Sequence, residues 1–84
     1  MITILYFAWV RETVGAGEER VELPDEIATV ADLIDWLGTR SAGHATALAD
    51  RARLRVAIDQ RFAGFDARIA GAREIAIFPP VTGG

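Results

Sequence analysis

The sequence predicts an α+β fold, a mixed sheet of about five strands with one main helix packed across it. Three observations carry this. Short apolar or alternating runs of strand length flank a single strong helical stripe. Their order is strand, strand, helix, strands. The length of 84 residues leaves room for one small core and not for two domains. Residues 1–84 read as a single domain, with residues 79–84 as an extended C-terminal tail.

Each element has its own signal. Ile2 to Phe7 is an apolar run that reads as a strand buried on both faces, with Ile2, Ile4 and Tyr6 on one face and Thr3, Leu5 and Phe7 on the other. Trp9 to Val14 is long enough for a short helical turn, broken by Gly15 and Gly17. Glu19 to Leu23 alternates, with Val21 and Leu23 inward, and Pro24-Asp25 turns the chain. The main helix is expected over Val30 to Leu37. Thr29 caps it, Asp32 favours its N-terminal end, and Val30, Leu33, Ile34 and Leu37 form one apolar stripe before Gly38. His44 to Ala49 reads as a second short helix with Ala45, Leu48 and Ala49 facing in and His44 on the surface. Leu54, Val56 and Ile58 alternate with Arg53, Arg55, Ala57 and Asp59, a half-exposed strand with a basic outer face. Arg61 to Ala63 is a return strand ended by Gly64, and Gly71 marks a turn. Glu74 to Phe78 is the last strand, with Ile75 and Ile77 on the core side. Pro79-Pro80 stops it because neither residue has an N–H to donate.

Composition narrows the function classes. The net charge of −3 argues against a nucleic-acid-binding surface, which needs a basic stripe. All nine basic residues are arginine, so copies of the chain cannot be joined to one another through lysine amines. There is no cysteine, hence no disulfide, thiol nucleophile or Cys-based metal site. No signal peptide is expected at Met1-Ile-Thr-Ile-Leu, and no apolar run approaches the roughly 18 residues that span a membrane. A cytoplasmic location is the expectation.

The tail is the most informative segment. Two prolines stiffen the exit from the sheet, Val81 and Thr82 favour extension, and Gly83-Gly84 end the chain. Six extended residues reach roughly 20 Å. Two glycines remove all side-chain bulk at the tip, so it can thread a narrow channel and leaves the terminal carbonyl open. The terminal carboxylate is ionised at neutral pH. It can attack a phosphate of ATP to form an acyl-adenylate, and that anhydride can accept a sulfur nucleophile.

At these residues the chain resembles the small subunit of molybdopterin synthase, the MoaD family of ubiquitin-like sulfur carriers. The similarity runs through Leu5-Tyr-Phe-Ala, Val10-Arg-Glu, Val56 to Gln60 and Glu74-Ile-Ala-Ile-Phe-Pro-Pro-Val-Thr-Gly-Gly84, and so covers essentially the whole chain. The resemblance implies a β-grasp fold whose first and last strands are parallel neighbours. It implies that Phe7, Phe62 and Phe78 form a partner-binding patch. Arg11 is expected at its rim, pairing with a partner carboxylate. Asp59 in place of the usual Asn, Ala72-Arg73 in place of an acidic residue, and Trp9 in an often polar position depart from the pattern.

The resemblance further implies a mechanism. An E1-like adenylyltransferase of MoeB type uses ATP to adenylate Gly84, which becomes a thiocarboxylate; this chain itself binds no cofactor or metal. The tail, Pro79, Pro80, Val81, Thr82 and Gly83 included, then enters the active site of a large subunit of MoaE type. Sulfur passes to cyclic pyranopterin monophosphate, building the molybdopterin dithiolene, and the expected assembly is a heterotetramer. The small chain has no independent active site in this scheme. Alternatives are carriers for thiamine, cysteine or tRNA thiolation, an inert ubiquitin-like interaction module, and covalent tagging of target lysines.

Overall fold

The computed structural model describes residues 1–80, and over them the chain forms one sheet with helices across a single face. The elements are β1 (Ile2–Tyr6), α1 (Ala8–Val14), β2 (Glu18–Val21), α2 (Val30–Leu37), α3 (Ala42–Ala47), a 3-10 turn (Arg51–Arg53), β3 (Arg55–Ile58), β4 (Arg61–Ala63) and β5 (Glu74–Phe78). The strands lie in the order β2-β1-β5-β3-β4. β1 and β5 are parallel, with Ile4 opposite Ile75 and Tyr6 opposite Ile77. The other pairings are antiparallel. This is the mixed β-grasp sheet expected from the sequence, with the last strand inserted at its centre.

The helices hold their places for local reasons. At the start of α2 the Thr29 hydroxyl accepts from the Asp32 amide at 3.2 Å, while the Asp32 carboxylate accepts from the Thr29 and Ala28 amides at 3.2 and 3.1 Å. This reciprocal cap satisfies two amides that helix geometry leaves without partners, those of Thr29 and Asp32, and the Ala28 amide just before them. The backbone bonds from Ala28 and Thr29 hold the Asp32 carboxyl below its ordinary range. Val30, Leu33, Ile34 and Leu37 are buried, each contributing about 1.5–3 kcal/mol through removal of apolar surface from water. They meet Ile2, Ile4, Tyr6, Val56, Ile75 and Ile77 in one core.

Three expectations are corrected. β1 is buried on one face only: Ile2, Ile4 and Tyr6 are inside, Thr3 and Leu5 are partly exposed, and Phe7 caps α1 outside the strand. The helices cover a single side of the sheet, so an apolar run that reads as doubly buried is a core strand with apolar residues on its open face. The second short helix starts two residues earlier than expected, at Ala42, because Ser41 caps it through the His44 amide. That phase turns His44 and Ala47 inward and leaves Ala45 and Ala49 exposed. His44 is therefore 8% exposed and part of the interior, not a surface histidine. Arg53 lies in the 3-10 turn before β3, and Ala57, on the outer face of β3, is itself buried.

Candidate functional site

β5 brings the chain's last described residues to one end of the sheet, between β1 and β3. Continuous pairing with strands on both sides fixes it. Pro79 and Pro80 then leave the ladder because they lack amide hydrogens. Both are half-buried, and with Trp9, Ala52 and Arg53 they line a cleft of about 410 Å³. Val81, Thr82, Gly83 and Gly84 lie outside the described residues. Four residues beyond Pro80 give an extended length of at most about 14 Å.

The open face of the sheet carries an apolar row. Leu5 is opposite Ala76, Ala76 opposite Ala57, and Ala57 opposite Phe62. At the tail end, Phe78 follows Ile77, and Phe7 follows Tyr6 on the neighbouring parallel strand. The Phe7 amide donates to the Ile77 carbonyl at 3.2 Å, so the ladder runs up to Phe7. The rings of Phe62 and Phe78 pack at 5.9 Å between centroids. Phe62 is 84% exposed and Phe7 47% exposed. Arg55, Val56 and Ala63 join Phe62 and Phe78 around a shallow depression of about 280 Å³. The fold thus brings Phe7, Phe62 and Phe78 to the end of the sheet from which the tail departs. Phe78 is half-buried, and the exposed rings of Phe7 and Phe62 leave apolar surface that a folded chain would otherwise bury. Arg11 is exposed on α1 with its side chain against Gly17, and no carboxylate among the described residues pairs with it.

Comparison with known proteins agrees with this geometry. The model of the ThiS family matches residues 4–84. This chain belongs to the ThiS family. The "Molybdopterin synthase sulfur carrier subunit" of Escherichia coli is 39% identical to this ThiS-family chain over 84 residues, covering all of both chains. The subunit of the same name from Haemophilus influenzae is 36% identical over the same full span. Among solved structures, SAMP1 from Haloferax volcanii superposes with a TM-score of 0.71 at 30% identity, covering 99% of this chain and 98% of that one.

This ThiS-family chain also contains a polar cluster that sequence patterning missed. The Tyr6 hydroxyl donates to Glu19 Oε2 at 2.6 Å, and His44 Nε2 lies 2.6 Å from the same oxygen. Ser41 Oγ is 2.7 Å from His44 Nδ1, and Arg40 is 3.4 Å from Glu19 Oε1. An ionised carboxylate only accepts, so His44 Nε2–H donates to Glu19, while Nδ1 is hydrogen-bonded to Ser41 Oγ. Burial works to raise the Glu19 carboxyl, but the bonds from Tyr6 and His44 and the nearby charges outweigh it and hold it below the ordinary range. Burial, then the bond to Glu19 and its charge, push the Tyr6 phenol well above its ordinary value. The cluster ties α3 to β1 and β2 through residues far apart in sequence, and no spacing rule reveals it. A second omission is the turn at Asp59-Gln60. Both have positive φ, 47° and 73°, which a tight two-residue hairpin requires. The Asp59 carboxylate accepts from the Arg73 and Glu74 amides at 3.0 and 2.9 Å. This Asp, a departure from the family's Asn, caps the entry to β5 through an acceptor oxygen that both side chains possess. Among the described residues no cluster of His, Asp or Glu could hold a metal ion.

Proposed function

We propose that this chain is the sulfur carrier of a molybdopterin synthase, with the Gly84 carboxylate as its working group. Support comes from one juxtaposition: the strand that leads to Pro79-Pro80 and the diglycine ends in the half-buried Phe78, which packs against the exposed Phe62, with the exposed Phe7 just past the end of the neighbouring strand. A tail to be inserted into another protein needs an adhesive surface at its root, and this is the end of the sheet that has one.

In the proposed cycle an E1-like enzyme of MoeB type binds the chain, and the Gly84 carboxylate attacks the α-phosphorus of ATP. Pyrophosphate leaves and an acyl-adenylate forms. A sulfur nucleophile at the oxidation level of hydrosulfide attacks the acyl carbon, and AMP departs with the bonding electron pair and one former carboxylate oxygen. The product is a thiocarboxylate, a better nucleophile than the carboxylate it replaces. The loaded chain docks by its phenylalanine patch on a large subunit of MoaE type, with Arg11 at the rim and Pro79 to Gly84 directed into the active site. The thiocarboxylate sulfur forms a bond to a side-chain carbon of cyclic pyranopterin monophosphate, and the carbon–oxygen bond at that carbon breaks, its oxygen leaving with the electron pair. Water then cleaves the acyl–sulfur bond, leaving sulfur on the pterin and restoring the carboxylate. Two such transfers build the dithiolene, and a heterotetramer of two large and two small subunits is the assembly that would hold two carriers.

Intact-mass measurement after incubation with the E1-like enzyme, ATP and a sulfur source tests this. A gain of about 16 Da, sulfur for oxygen, is expected, and deletion of Gly84 should abolish it while the fold persists. An unchanged mass in the wild-type chain, or full sulfur transfer by the deletion, overturns the proposal.

A further inference from the structure

The tail root is spanned by a second feature that lies outside the phenylalanine patch. β5 is flanked by β1 and β3, and neither ladder runs on beside the prolines. Beyond β1 the chain turns into α1, whose second residue is Trp9. Before β3 it makes the 3-10 turn that ends at Arg53. The two residues meet: the Arg53 guanidinium carbon stands 4.6 Å from the centroid of the Trp9 ring. Together with Ala52 they line the cleft that holds Pro79 and Pro80. Arg53 is exposed and pairs with no carboxylate among the described residues, and its guanidinium lies over the indole face.

Two further observations point the same way. The prolines have no amide hydrogen, so ladder bonds cannot orient them, and packing must. Ala8, between the end of β1 and Trp9, has a φ of 53°, a left-handed conformation costly for a residue with a Cβ. That bend turns the chain out of the strand and places Trp9 beside the prolines.

We infer that the Trp9–Arg53 stack is a bracket across Pro79-Pro80 that fixes the direction in which the arm leaves the sheet, making both positioning residues for sulfur transfer. The inference rests on the carrier function above for its catalytic consequence, and on the bracket geometry alone for its structural one. Neither residue touches the reacting atoms. Their effect is to hold the Pro79-Pro80 segment in one direction, which favours the transfer step over simple association.

The experiment compares the wild type with Trp9→Ala, Trp9→Phe and Arg53→Ala. Nuclear Overhauser contacts between the Trp9 indole and the Pro80 ring are expected in the wild type. Arg53→Ala, a change at an exposed residue, should weaken them without altering the fold. At saturating large subunit, Trp9→Ala should slow single-turnover sulfur transfer about tenfold with the dissociation constant changed less than about twofold, Arg53→Ala should slow it less, and Trp9→Phe should retain most of the rate. Should Trp9→Ala unfold, Arg53→Ala and Trp9→Phe carry the comparison. Absence of the indole–proline contacts in the wild type overturns the bracket whatever the chemistry. Wild-type rates in Arg53→Ala and Trp9→Ala, or a loss that lies wholly in affinity, overturn the positioning role. A wild type that accepts no sulfur overturns the carrier function instead, and the contacts still decide the bracket.

Discussion

Gly43→Ala is a test of sign. Gly43 sits in the first turn of α3, where that helix crosses the end of α1. Helix propensity alone favours alanine over glycine by about 0.5–1 kcal/mol. The packing opposes it. A Cβ built on Gly43 would stand 2.7 Å from the Thr13 carbonyl oxygen and 3.1 Å from that of Val14. Both are backbone atoms, so the clash is relieved only by moving one helix against the other, at about 1–3 kcal/mol for overpacking of this kind. Taken at the middle of these ranges, the difference leaves the variant less stable by about 1 kcal/mol, which lowers the melting temperature by roughly 4–8 °C in a chain of this size. Calorimetry or thermal circular dichroism measures it. Gly38→Ala is the control: Gly38 is right-handed, and its added Cβ would meet only ordinary contacts at 3.4 and 3.5 Å, so stability should hold or rise slightly. An unchanged or raised melting temperature for Gly43→Ala would refute the close approach of α1 and α3.

Other expectations follow from the same structure. Phe62→Ala removes a ring that is 84% exposed; stability should change by less than about 0.5 kcal/mol, while titration calorimetry with the proposed large-subunit partner should show affinity falling by about 1–3 kcal/mol. Asp59→Ala withdraws the acceptor of two β5 amides and should cost about 1–3 kcal/mol in urea denaturation, with Asp59→Asn recovering most of it. Stability should also have two pH limbs. The carboxyls of Glu19 and Asp32 are held low in the folded chain, so their contribution is present above the ordinary carboxylate range and is lost as pH falls through their folded values. The Tyr6 phenol is held high, so its contribution is present below about pH 10 and is lost as pH rises beyond that. Denaturation across pH should show a plateau between these limbs. Glu19→Gln should shrink the acid limb to the part owed to Asp32, and an acid limb identical to wild type would count against the Tyr6–Glu19–His44 cluster.

What the residues alone determine is whatever depends on neighbours in the chain. Val30 to Leu37 becomes a helix because its stripe, its cap and its terminating glycine lie within ten residues of one another, and the observed bounds coincide with those expected. Glu74 to Phe78 becomes a strand because Ile75 and Ile77 alternate and two prolines end it. The tail phrase and the family resemblance point to the carrier function from the sequence directly, because both are read from contiguous residues and need no assembled pocket.

Tertiary structure decides the rest, because it depends on which distant segments meet. Leu5 looks like core by its composition, yet lies on the open face because the helices cover only one side of the sheet. His44 looks like a surface residue in a run of small ones, yet it is buried, and Glu19, 25 positions away, accepts its hydrogen bond. Trp9, Arg53 and Pro80 come together only because β5 is inserted between β1 and β3. Local pattern encodes the energy of forming an element, whereas a pairing across the fold is encoded in no single stretch of sequence.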